Sequence, residues 1–510
     1  MTTTKIAMGH YGIGGKDGVN TVIFRNLTGI FEDLNQDFRI TLFGAADSGI
    51  KDFVNRASES NLDYIDIPDF APGYNGRDVS KQKAIDYLYE GEKIADRLAE
   101  VLADYKLVIM ENTTVGNHPA VSYAFYVYAQ WCLKHQPDKR IILRTHDFLQ
   151  DRPENFDNIK KFKPRTSRLV PDWRVIMYPS FSNVFYITLN TQNMYDLYSH
   201  GVDKESIFCL PNSIDDGLKI VDDRHAGLRV RMNDEFGINP EAKIVFYPVR
   251  CVPRKNVEEA ILVVMLLNRI SSVNSALSRQ YNVSGRYHLV VSLDDTSPKT
   301  AGYSRFIKGI VKEHQLPVVV GLDKLVGLNR TYDKDGEIET YGVADAFGVS
   351  DMVVTTSYLE GFGFVYIEPW MADCVVIGRN LPIVTRDFKK MGGMKLGHLY
   401  DTLHAEGTDF KDFGTVPDIF KTTSNAFDED SMKKKFDYIL RLMNDDALLE
   451  LFLGQNEFQL NSMFTVLGSG REKELIAHNR QAVQRNYSRE AVSKKLHTIV
   501  KEVMSRPVAD

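Results

Sequence analysis

Residues 355–372 read T-T-S-Y-L-E-G-F-G-F-V-Y-I-E-P-W-M-A. The apolar residues Met352–Thr355 lead into this stretch and predict a buried strand. Gly361 and Gly363 then predict a turn, and we predict that a helix begins near Phe364. A strand, a glycine-containing turn and a helix in this order are typical of one unit of an α/β fold with a parallel sheet.

The residues that follow this strand are suited to a ligand that carries phosphate and hydroxyl groups. Backbone N–H groups at a helix start bind anions, and glycine lets the chain approach a ligand closely. Two carboxylates across the turn can accept charge-assisted hydrogen bonds from sugar or ribose hydroxyls, although for the two acids alone an ordinary strand–turn–helix connection is the alternative. The predicted ligand contacts are Glu360, Gly361, Phe362, Gly363, Phe364 and Glu368.

Predicted strands and helices alternate on both sides of this stretch. In the C-terminal half the strands are 243–249, 287–292, 318–321, 352–355 and 375–378, and the helices are 257–267, 304–314 and 343–347. In the N-terminal half the strands are 5–8, 39–43, 64–67, 107–110, 140–144 and 183–188, and helices start near residue 19 and span 81–104 and 120–135. This alternation predicts parallel sheets.

Two successive α/β units of similar size predict two Rossmann-like domains that face each other across a ligand cleft. We place an N-terminal domain at residues 1–208 and a C-terminal domain at 209–488. Residues 489–510 are predicted to form a helix that returns to the N-terminal domain.

The composition is globular and favours a cytoplasmic protein. Of the 510 residues 43% are hydrophobic and 25% charged, and the net charge of −6 argues against nucleic acid as a partner. The four cysteines lie far apart, which indicates neither a zinc site nor a disulfide framework and favours a reducing compartment. No stretch reaches the roughly 18 apolar residues of a membrane-spanning helix, and the N-terminus lacks the pattern of a secretory signal.

Several motifs resemble those of retaining GT-B glycosyltransferases, specifically glycosyltransferase family 4. The string from Glu360 to Ala372 resembles the family's donor-site signature, E-G-F-G-x4-E-A-M-A, from which it departs at Pro369 and Trp370. The proline moves the helix start to near Glu368 or leaves a kink there. F-Y-P-V-R-C-V-P-R-K-N at 246–256 resembles the family's G-R-x4-K-G segment. L-P-N-S-I-D at 210–215 resembles its P-N-G-V-D.

This resemblance implies a GT-B fold with the donor on the C-terminal domain and the acceptor on the N-terminal domain. It implies transfer of a hexose from a nucleotide diphosphate sugar to an acceptor hydroxyl, with retention of the anomeric configuration and with no metal or other cofactor. Arg250 and Lys255 would meet the donor diphosphate, because two cations at a strand's carboxyl end neutralise a leaving pyrophosphate. Glu360 is the third residue assigned to catalysis.

The N-terminal half contains two further candidates. G-I-G-G-K-D-G at 12–18 resembles the family's first glycine-rich loop, which places Gly14 and Gly15 against the diphosphate; a plain strand-to-helix turn is the alternative. His146 follows a predicted strand at a position where the family often has a histidine near the donor sugar. We assign His146 to the catalytic set and expect Asp147 to orient it.

Acceptor contacts are predicted at two places in the N-terminal domain. Glu111, Asn112 and His118 follow another strand. The run K-K-F-K-P-R-T-S-R at 160–168, with Lys161, Lys163 and Arg165, fits a phosphorylated or otherwise anionic acceptor, and a solvated basic face is the alternative. The acceptor is expected to be a soluble small molecule or a glycan.

Three other functions fit parts of the same pattern. A sugar phosphorylase on a GT-B fold would use inorganic phosphate, and a nucleotide-sugar sensor would bind the donor without turnover. A lipid glycosyltransferase would need a basic amphipathic helix, of which only the short run near Lys160 is present. The sequence leaves open the nucleotide base, the hexose, the acceptor and the oligomeric state, including a homo-oligomer.

Overall fold

The computed structural model of this protein describes residues 4–15, 18–34, 38–47, 49–51, 54, 62–71, 87–152, 155–156, 172–214, 218, 222–273, 278–279, 281, 283–297, 301–404, 427–467 and 471–507. The chain forms two compact units. Unit 1 consists of Met1–Ile214 and Asn486–Asp510, and unit 2 consists of Asp215–Arg485. The division falls after Ile214, six residues later than the boundary predicted after residue 208.

Unit 1 is built on a parallel sheet of seven described strands in the order β3-β2-β1-β4-β5-β6-β7. The strands are β1 (Thr4–Ile13), β2 (Phe38–Ala46), β3 (Asp63–Asp66), β4 (Leu107–Glu111), β5 (Arg140–Arg144), β6 (Val184–Thr188) and β7 (Ile207–Cys209). The first six match predicted strands. The short edge strand β7 was not predicted, because three residues carry no periodicity.

Helices cover the sheet of unit 1, and this is why its central strands are apolar on both faces. The helices are α1 (Gly18–Leu34), α2 (Tyr87–Val101), α3 (Pro119–His135), α4 (Trp173–Met177) and α5 (Thr191–Ser199). Successive residues of a strand enter different cores. Ala7 and Val108 pack with α2 and α3, whereas Ile6, Met8 and Leu107 pack with α1.

Unit 2 has its own parallel sheet, in which five described strands take the order β10-β9-β8-β13-β14. The strands are β8 (Lys243–Arg250), β9 (Tyr287–Leu293), β10 (Val318–Val320), β13 (Met352–Thr355) and β14 (Val376–Gly378). A separate antiparallel pair joins β11 (Thr331–Tyr332) to β12 (Ile338–Thr340). The five parallel strands match predicted ones.

The helices that begin in unit 2 lie before, between and after its strands. They are α6 (Gly227–Phe236), α7 (Val257–Val273), α8 (Ala301–Glu313), α9 (Val343–Gly348), α10 (Pro382–Lys390), α11 (Glu429–Asn444), α12 (Asp446–Gln455), α13 (Glu457–Val466) and α14 (Arg471–Tyr487).

The last helix, α15 (Arg489–Ser505), belongs to unit 1, as predicted. It starts at Ser488, whose hydroxyl accepts a hydrogen bond from the backbone N–H of Ala491. Its apolar face joins the core that contains α1 and the strand residues beneath it. The buried residues of that face are Val492, Leu496, Ile499, Val500 and Val503.

Residues 356–381, all of them described, contain no α-helix, so the predicted helix start near Phe364 is wrong. Two 3₁₀ turns follow β13 instead, at Phe364–Tyr366 and Glu368–Ala372. Pro369 explains the difference, because a helix starting at Phe364 would place this proline in its interior, where it cannot donate a backbone hydrogen bond. Asp373 then takes a left-handed φ of 60°, which ends the second turn.

Among the described residues, no helix combines the length and apolar character needed to cross a membrane.

Candidate active site

The candidate site of unit 2 lies at the carboxyl ends of two neighbouring strands. β8 ends at Arg250 and leads into a 3₁₀ turn at Pro253–Lys255, and β13 ends at Thr355 and leads into the loop that contains Glu360. Because β8 and β13 are paired and parallel, both loops leave the sheet at the same edge. That edge is where α/β sheets bind ligands.

Lys255 and Glu360 form a direct ion pair across these two loops. The Lys255 ammonium donates a hydrogen bond to Glu360 Oε1, and each side chain is only 10% exposed. Arg254 adds a second cation, with Nη1 3.8 Å from Glu360 Oε2. The same Nη1 donates to the carbonyl of Leu359 at 3.3 Å, so the cation is also tied to the backbone beside Glu360.

A buried tyrosine holds the two loops together. The Tyr247 hydroxyl donates to the carbonyl of Lys255 at 2.6 Å and accepts from the backbone N–H of Thr356 at 3.1 Å. It also lies 3.0 Å from the Ser357 hydroxyl. The Thr356 hydroxyl donates to the carbonyl of Asn256 at 2.8 Å, which adds a further link. These bonds fix the backbone on both sides of the ion pair.

The surroundings of Glu360 keep its carboxyl group ionised. Burial by itself raises the pKa of Glu360, but the Lys255 ammonium and the Arg254 guanidinium outweigh burial, and the pKa lies below its ordinary value. Lys255 and Glu360 are thus largely shielded from water at the edge of the sheet, and the partly exposed Arg254 lies beside them. Perturbed ionisable groups in such positions are candidates for binding or catalysis.

The other predicted residues of this site occupy the same edge without entering the ion pair. Arg250 is exposed at the last position of β8. Glu368 is partly exposed and begins the second 3₁₀ turn. The structure therefore brings Lys255 and Glu360 into contact and leaves Arg250 and Glu368 outside that contact.

The two phenylalanines of the loop pack against each other on either side of a glycine with a positive φ. Phe362 is buried, and its ring centroid lies 5.1 Å from that of Phe364. Gly363 has a left-handed φ of 91° and precedes the first 3₁₀ turn, and a Cβ there would lie 3.0 Å from the Tyr366 ring. Gly361 is partly buried. The loop shape thus requires glycine at 363.

Two features in and around the site were not predicted. The first is Arg254, which adjoins Lys255 in P-R-K; the sequence does not indicate which of the two cations contacts Glu360. The second feature is a buried network: Arg379, just after β14, donates to both oxygens of Glu259 at 3.0 and 2.7 Å. Asn256 also donates to Glu259, at 2.5 Å, so the network anchors the residue that follows Lys255.

Unit 1 carries a second cluster, at the carboxyl ends of β4 and β5. Glu111 is the last residue of β4 and is fully buried. His146 follows β5, and its Nε2 lies 2.6 Å from Glu111 Oε2. Asn112, in a left-handed conformation with a φ of 64°, accepts from the backbone N–H groups of His146 and Asp147 through Oδ1, at 3.2 and 3.0 Å.

Asp147 does not orient His146, contrary to our expectation. Its Oδ1 accepts a hydrogen bond from Arg152 at 3.1 Å, and its Oδ2 accepts one from Asn112 at 3.4 Å. The carboxylate that reaches the His146 ring is Glu111. We had assigned Glu111 to the acceptor, but full burial removes its side chain from direct contact with a dissolved molecule.

The remaining predictions for unit 1 fall in different environments. Gly14 has a φ of 94°, and a Cβ there would lie 2.5 Å from the backbone nitrogen of Ile50, so packing within the loop already requires glycine. Gly15 is partly buried. His118 is buried before α3, where burial lowers its pKa to about 4. The basic residues Lys161, Lys163 and Arg165 lie outside the described residues.

Within the described part of the chain, no group of three or more histidine, cysteine, aspartate or glutamate side chains is arranged to hold a metal ion.

Comparison with solved structures identifies proteins of the same fold. A glycosyltransferase from Rickettsia africae superposes with a TM-score of 0.54 at 12% identity, over 99% of this chain and 100% of that one. The chain shares that fold. Anabaena Alr3699/HepE, solved with UDP and glucose, superposes with a TM-score of 0.53 at 11% identity, over 98% and 100% of the two chains. The predicted fold class, α/β with two Rossmann-like domains as in GT-B enzymes, is confirmed.

At the level of sequence, no family model matches the chain. The chain is similar to the mannosylglucosyl-3-phosphoglycerate synthase of Petrotoga mobilis, with 28% identity over 381 residues. The match covers 74% of this chain and 65% of that protein, so the chain spans less than two thirds of its relative.

Proposed function

We propose that this protein is a retaining glycosyltransferase of the family 4 type, which transfers a hexose from a nucleotide diphosphate sugar to a hydroxyl of a soluble, anionic acceptor. The observation that carries the proposal is the buried ion pair of Lys255 and Glu360 at the carboxyl edge of the unit 2 sheet, with Arg254 beside it. This cluster offers a diphosphate two cations and a sugar one carboxylate.

The charges of the cluster suit the donor. A nucleotide diphosphate carries negative charge that Lys255 and Arg254 can neutralise, and Arg250 at the end of β8 supplies a third cation on the same edge. Neutralising charge that develops on the leaving group lowers the barrier to breaking the glycosidic bond. Glu360, kept ionised by its neighbours, can accept hydrogen bonds from hydroxyls of the transferred hexose.

The reaction that we propose needs no nucleophile from the protein. The bond between the anomeric carbon and the diphosphate oxygen breaks, and the acceptor oxygen bonds to the same carbon on the face that the diphosphate leaves. The proton of the acceptor hydroxyl passes to a phosphate oxygen of the leaving group. The residues of unit 2 would then act by holding and neutralising the diphosphate. We propose that this chemistry requires no metal.

The anionic acceptor is supported by the similarity to the Petrotoga protein. That protein's name describes a product in which sugars are attached to 3-phosphoglycerate, a strongly anionic group. The basic run at 160–168 of this chain, predicted to meet an anionic acceptor, is consistent with the same class. We therefore propose a phosphorylated or carboxylated acceptor of small size, bound by unit 1.

The direct test is a ligand screen followed by an assay of transfer. Thermal unfolding is first measured with nucleoside diphosphates and their hexose conjugates, because a ligand that binds only the folded state raises the unfolding temperature with its concentration. The stabilising donor is then incubated with phosphoglycerate and glucosyl-phosphoglycerate acceptors. We expect release of the nucleoside diphosphate and a product heavier by one hexose, with the donor's anomeric configuration by NMR.

Other outcomes of this test contradict the proposal. Binding of a donor without transfer to any acceptor would indicate a sensor. Product formation from a hexose 1-phosphate with release of inorganic phosphate would indicate a phosphorylase. A product with inverted anomeric configuration would refute the retaining mechanism while leaving the transfer itself in place.

A further inference from the structure

We infer that Glu111 is a positioning residue for His146: it holds the imidazole with its Nε2 proton inward and presents Nδ1 as an acceptor for a substrate hydroxyl. The inference rests on the proposed function, because it gives His146 a substrate to meet. It replaces the expected acceptor contact of Glu111 and the expected orienting role of Asp147.

The contact between the two side chains fixes the state of the ring. Glu111 Oε2 lies 2.6 Å from His146 Nε2, and Glu111 is 0% exposed. An ionised carboxylate can only accept hydrogen bonds, so Nε2 must carry the proton that joins them. In the neutral imidazole this leaves Nδ1 with a lone pair.

Glu111 is itself kept ionised by a buried cation. Burial alone would raise the pKa of Glu111, but Arg144 and the contact with His146 outweigh it and lower the pKa. Arg144 Nη1 lies 3.8 Å from Glu111 Oε1, and its Nη2 donates to Asn212 Oδ1 at 3.0 Å. A chain of contacts thus runs from Asn212, in L-P-N-S-I-D, through Arg144 and Glu111 to the His146 ring.

The backbone of His146 is fixed independently of its ring. Asn112 Oδ1 binds the backbone N–H groups of residues 146 and 147, and the left-handed φ of Asn112 aims its side chain at them. Backbone and Nε2 are therefore both held. Within the described part of the chain, no protein group forms a hydrogen bond with His146 Nδ1.

This arrangement suits a ligand rich in hydroxyl groups. A held imidazole with an available lone pair accepts a hydrogen bond from a hydroxyl, and its position after β5 lies at the carboxyl edge of a parallel sheet, where such folds bind ligands. The ligand class that we infer for Nδ1 is a sugar hydroxyl.

The tautomer can be observed directly by NMR of the protein labelled with ¹⁵N in its histidine rings. The chain has 12 histidines, and the signal of His146 is identified as the one lost in His146→Asn. Spectra over a range of pH identify the neutral form of the ring, in which we expect a protonated Nε2 and an unprotonated Nδ1. A protonated Nδ1 with an unprotonated Nε2 would overturn the inference, whether or not any transfer activity is found.

Two near-isosteric variants then separate the two carboxylates. In Glu111→Gln the amide can either accept from or donate to the ring, so we expect a mixture of both tautomers. In Asp147→Asn the tautomer should remain that of the wild type. A mixture in Asp147→Asn together with an unchanged ring in Glu111→Gln would assign the role to Asp147 and refute our inference.

Kinetics of the same variants test the consequence for transfer. In Glu111→Gln, kcat should fall by roughly tenfold to a hundredfold with little change in the KM of the donor, because a ring that is no longer held in one geometry orients the substrate less well and costs turnover more than binding. Donor affinity, measured by calorimetry, should stay at its wild-type value. A Glu111→Gln variant with the wild-type kcat and a mixed tautomer would show that the fixed ring serves no step of transfer.

Discussion

At the scale of single residues, the ion pair of Lys255 and Glu360 is weak evidence for a contribution to stability. Taking two charges out of water costs several kcal/mol for each ion, and their mutual attraction repays this only with good geometry. Glu360 has two cations nearby, Lys255 and Arg254. An excess of positive charge in a confined position favours the binding of an anion.

Replacing Lys255 with methionine should weaken donor binding and turnover together. A hydrogen bond to a charged group contributes about 2 kcal/mol, so we expect donor affinity to fall roughly thirtyfold. Calorimetry and steady-state kinetics measure the two effects. The matched control is Lys243→Met, at the opposite end of the same strand β8, which should keep both values. Equal losses of donor affinity and turnover in the two variants would mean that the donor does not depend on a lysine at the carboxyl end of β8.

Glu360→Gln keeps the shape of the side chain and removes its charge. We expect kcat to fall roughly a hundredfold or more, because the carboxylate can no longer accept charge-assisted hydrogen bonds from the hexose as charge develops. Circular dichroism should show an intact fold. Activity within a few fold of the wild type would remove Glu360 from the catalytic set.

The sequence alone was enough to place Lys255 and Glu360 in one candidate site, and their role there stays a prediction. Lys255 and Glu360 stand in strings that resemble a known site, and the structure brings them into contact. The contact between Glu111 and His146, 35 positions apart, was missed because it depends on the pairing of β4 with β5, which places Glu111 beside Arg144. No local spacing encodes such a contact.

At the scale of elements, helix α3 begins next to a buried histidine that makes folding sensitive to pH. Burial lowers the pKa of His118 to about 4, whereas an unfolded histidine titrates near 6.5. Between these values the unfolded state binds more protons than the folded state, so stability falls as the pH falls. Above pH 7 His118 is neutral in both the folded and the unfolded state, so its titration does not change the stability there.

We therefore expect the unfolding free energy of the wild-type protein to drop by about 2 kcal/mol between pH 7 and pH 5 on account of His118. The variant His118→Gln should lack this part of the slope in chemical denaturation. The exposed His135, at the other end of α3, provides the control, and His135→Gln should keep the wild-type slope. An unchanged slope in His118→Gln would contradict a buried neutral histidine.

Helix α15 should matter for stability in proportion to its buried face. Leu496 is 2% exposed in the core shared with α1, and Leu496→Ala should lower the unfolding free energy by about 2–5 kcal/mol. Lys494, on the exposed side of the same helix, is the control, and Lys494→Ala should change stability by about 0.5 kcal/mol or less. Similar effects of the two variants would show that α15 does not depend on this packing.

Short apolar runs were sufficient to predict strands, and the helix that was wrongly predicted has a clear cause. β5 and β13 appear with the predicted limits, since each is a short apolar run bounded by polar residues. The helix predicted near Phe364 does not form, because Pro369 would lie in its interior and cannot donate a backbone hydrogen bond there. The position of the proline, rather than the spacing of apolar residues, determines the secondary structure of that segment.

At the scale of the whole molecule, one chain builds two similar α/β units and then returns to the first. The C-terminal segment, residues 486–510, follows unit 2 in the chain but belongs to unit 1, and it contains the last helix, α15. The alternation of strands and helices was sufficient to predict the two α/β units. The net charge of −6 gave no hint of the local clusters of cations, because it averages over the chain.

The central claim is that a nucleotide diphosphate sugar binds at the carboxyl edge of the unit 2 sheet. A crystal structure of the protein with the donor found in the ligand screen measures this most directly. We expect the diphosphate to contact Lys255 and at least one of Arg250 and Arg254, with the hexose within hydrogen-bond distance of Glu360. A donor bound elsewhere, with the ion pair of Lys255 and Glu360 undisturbed, would contradict the account.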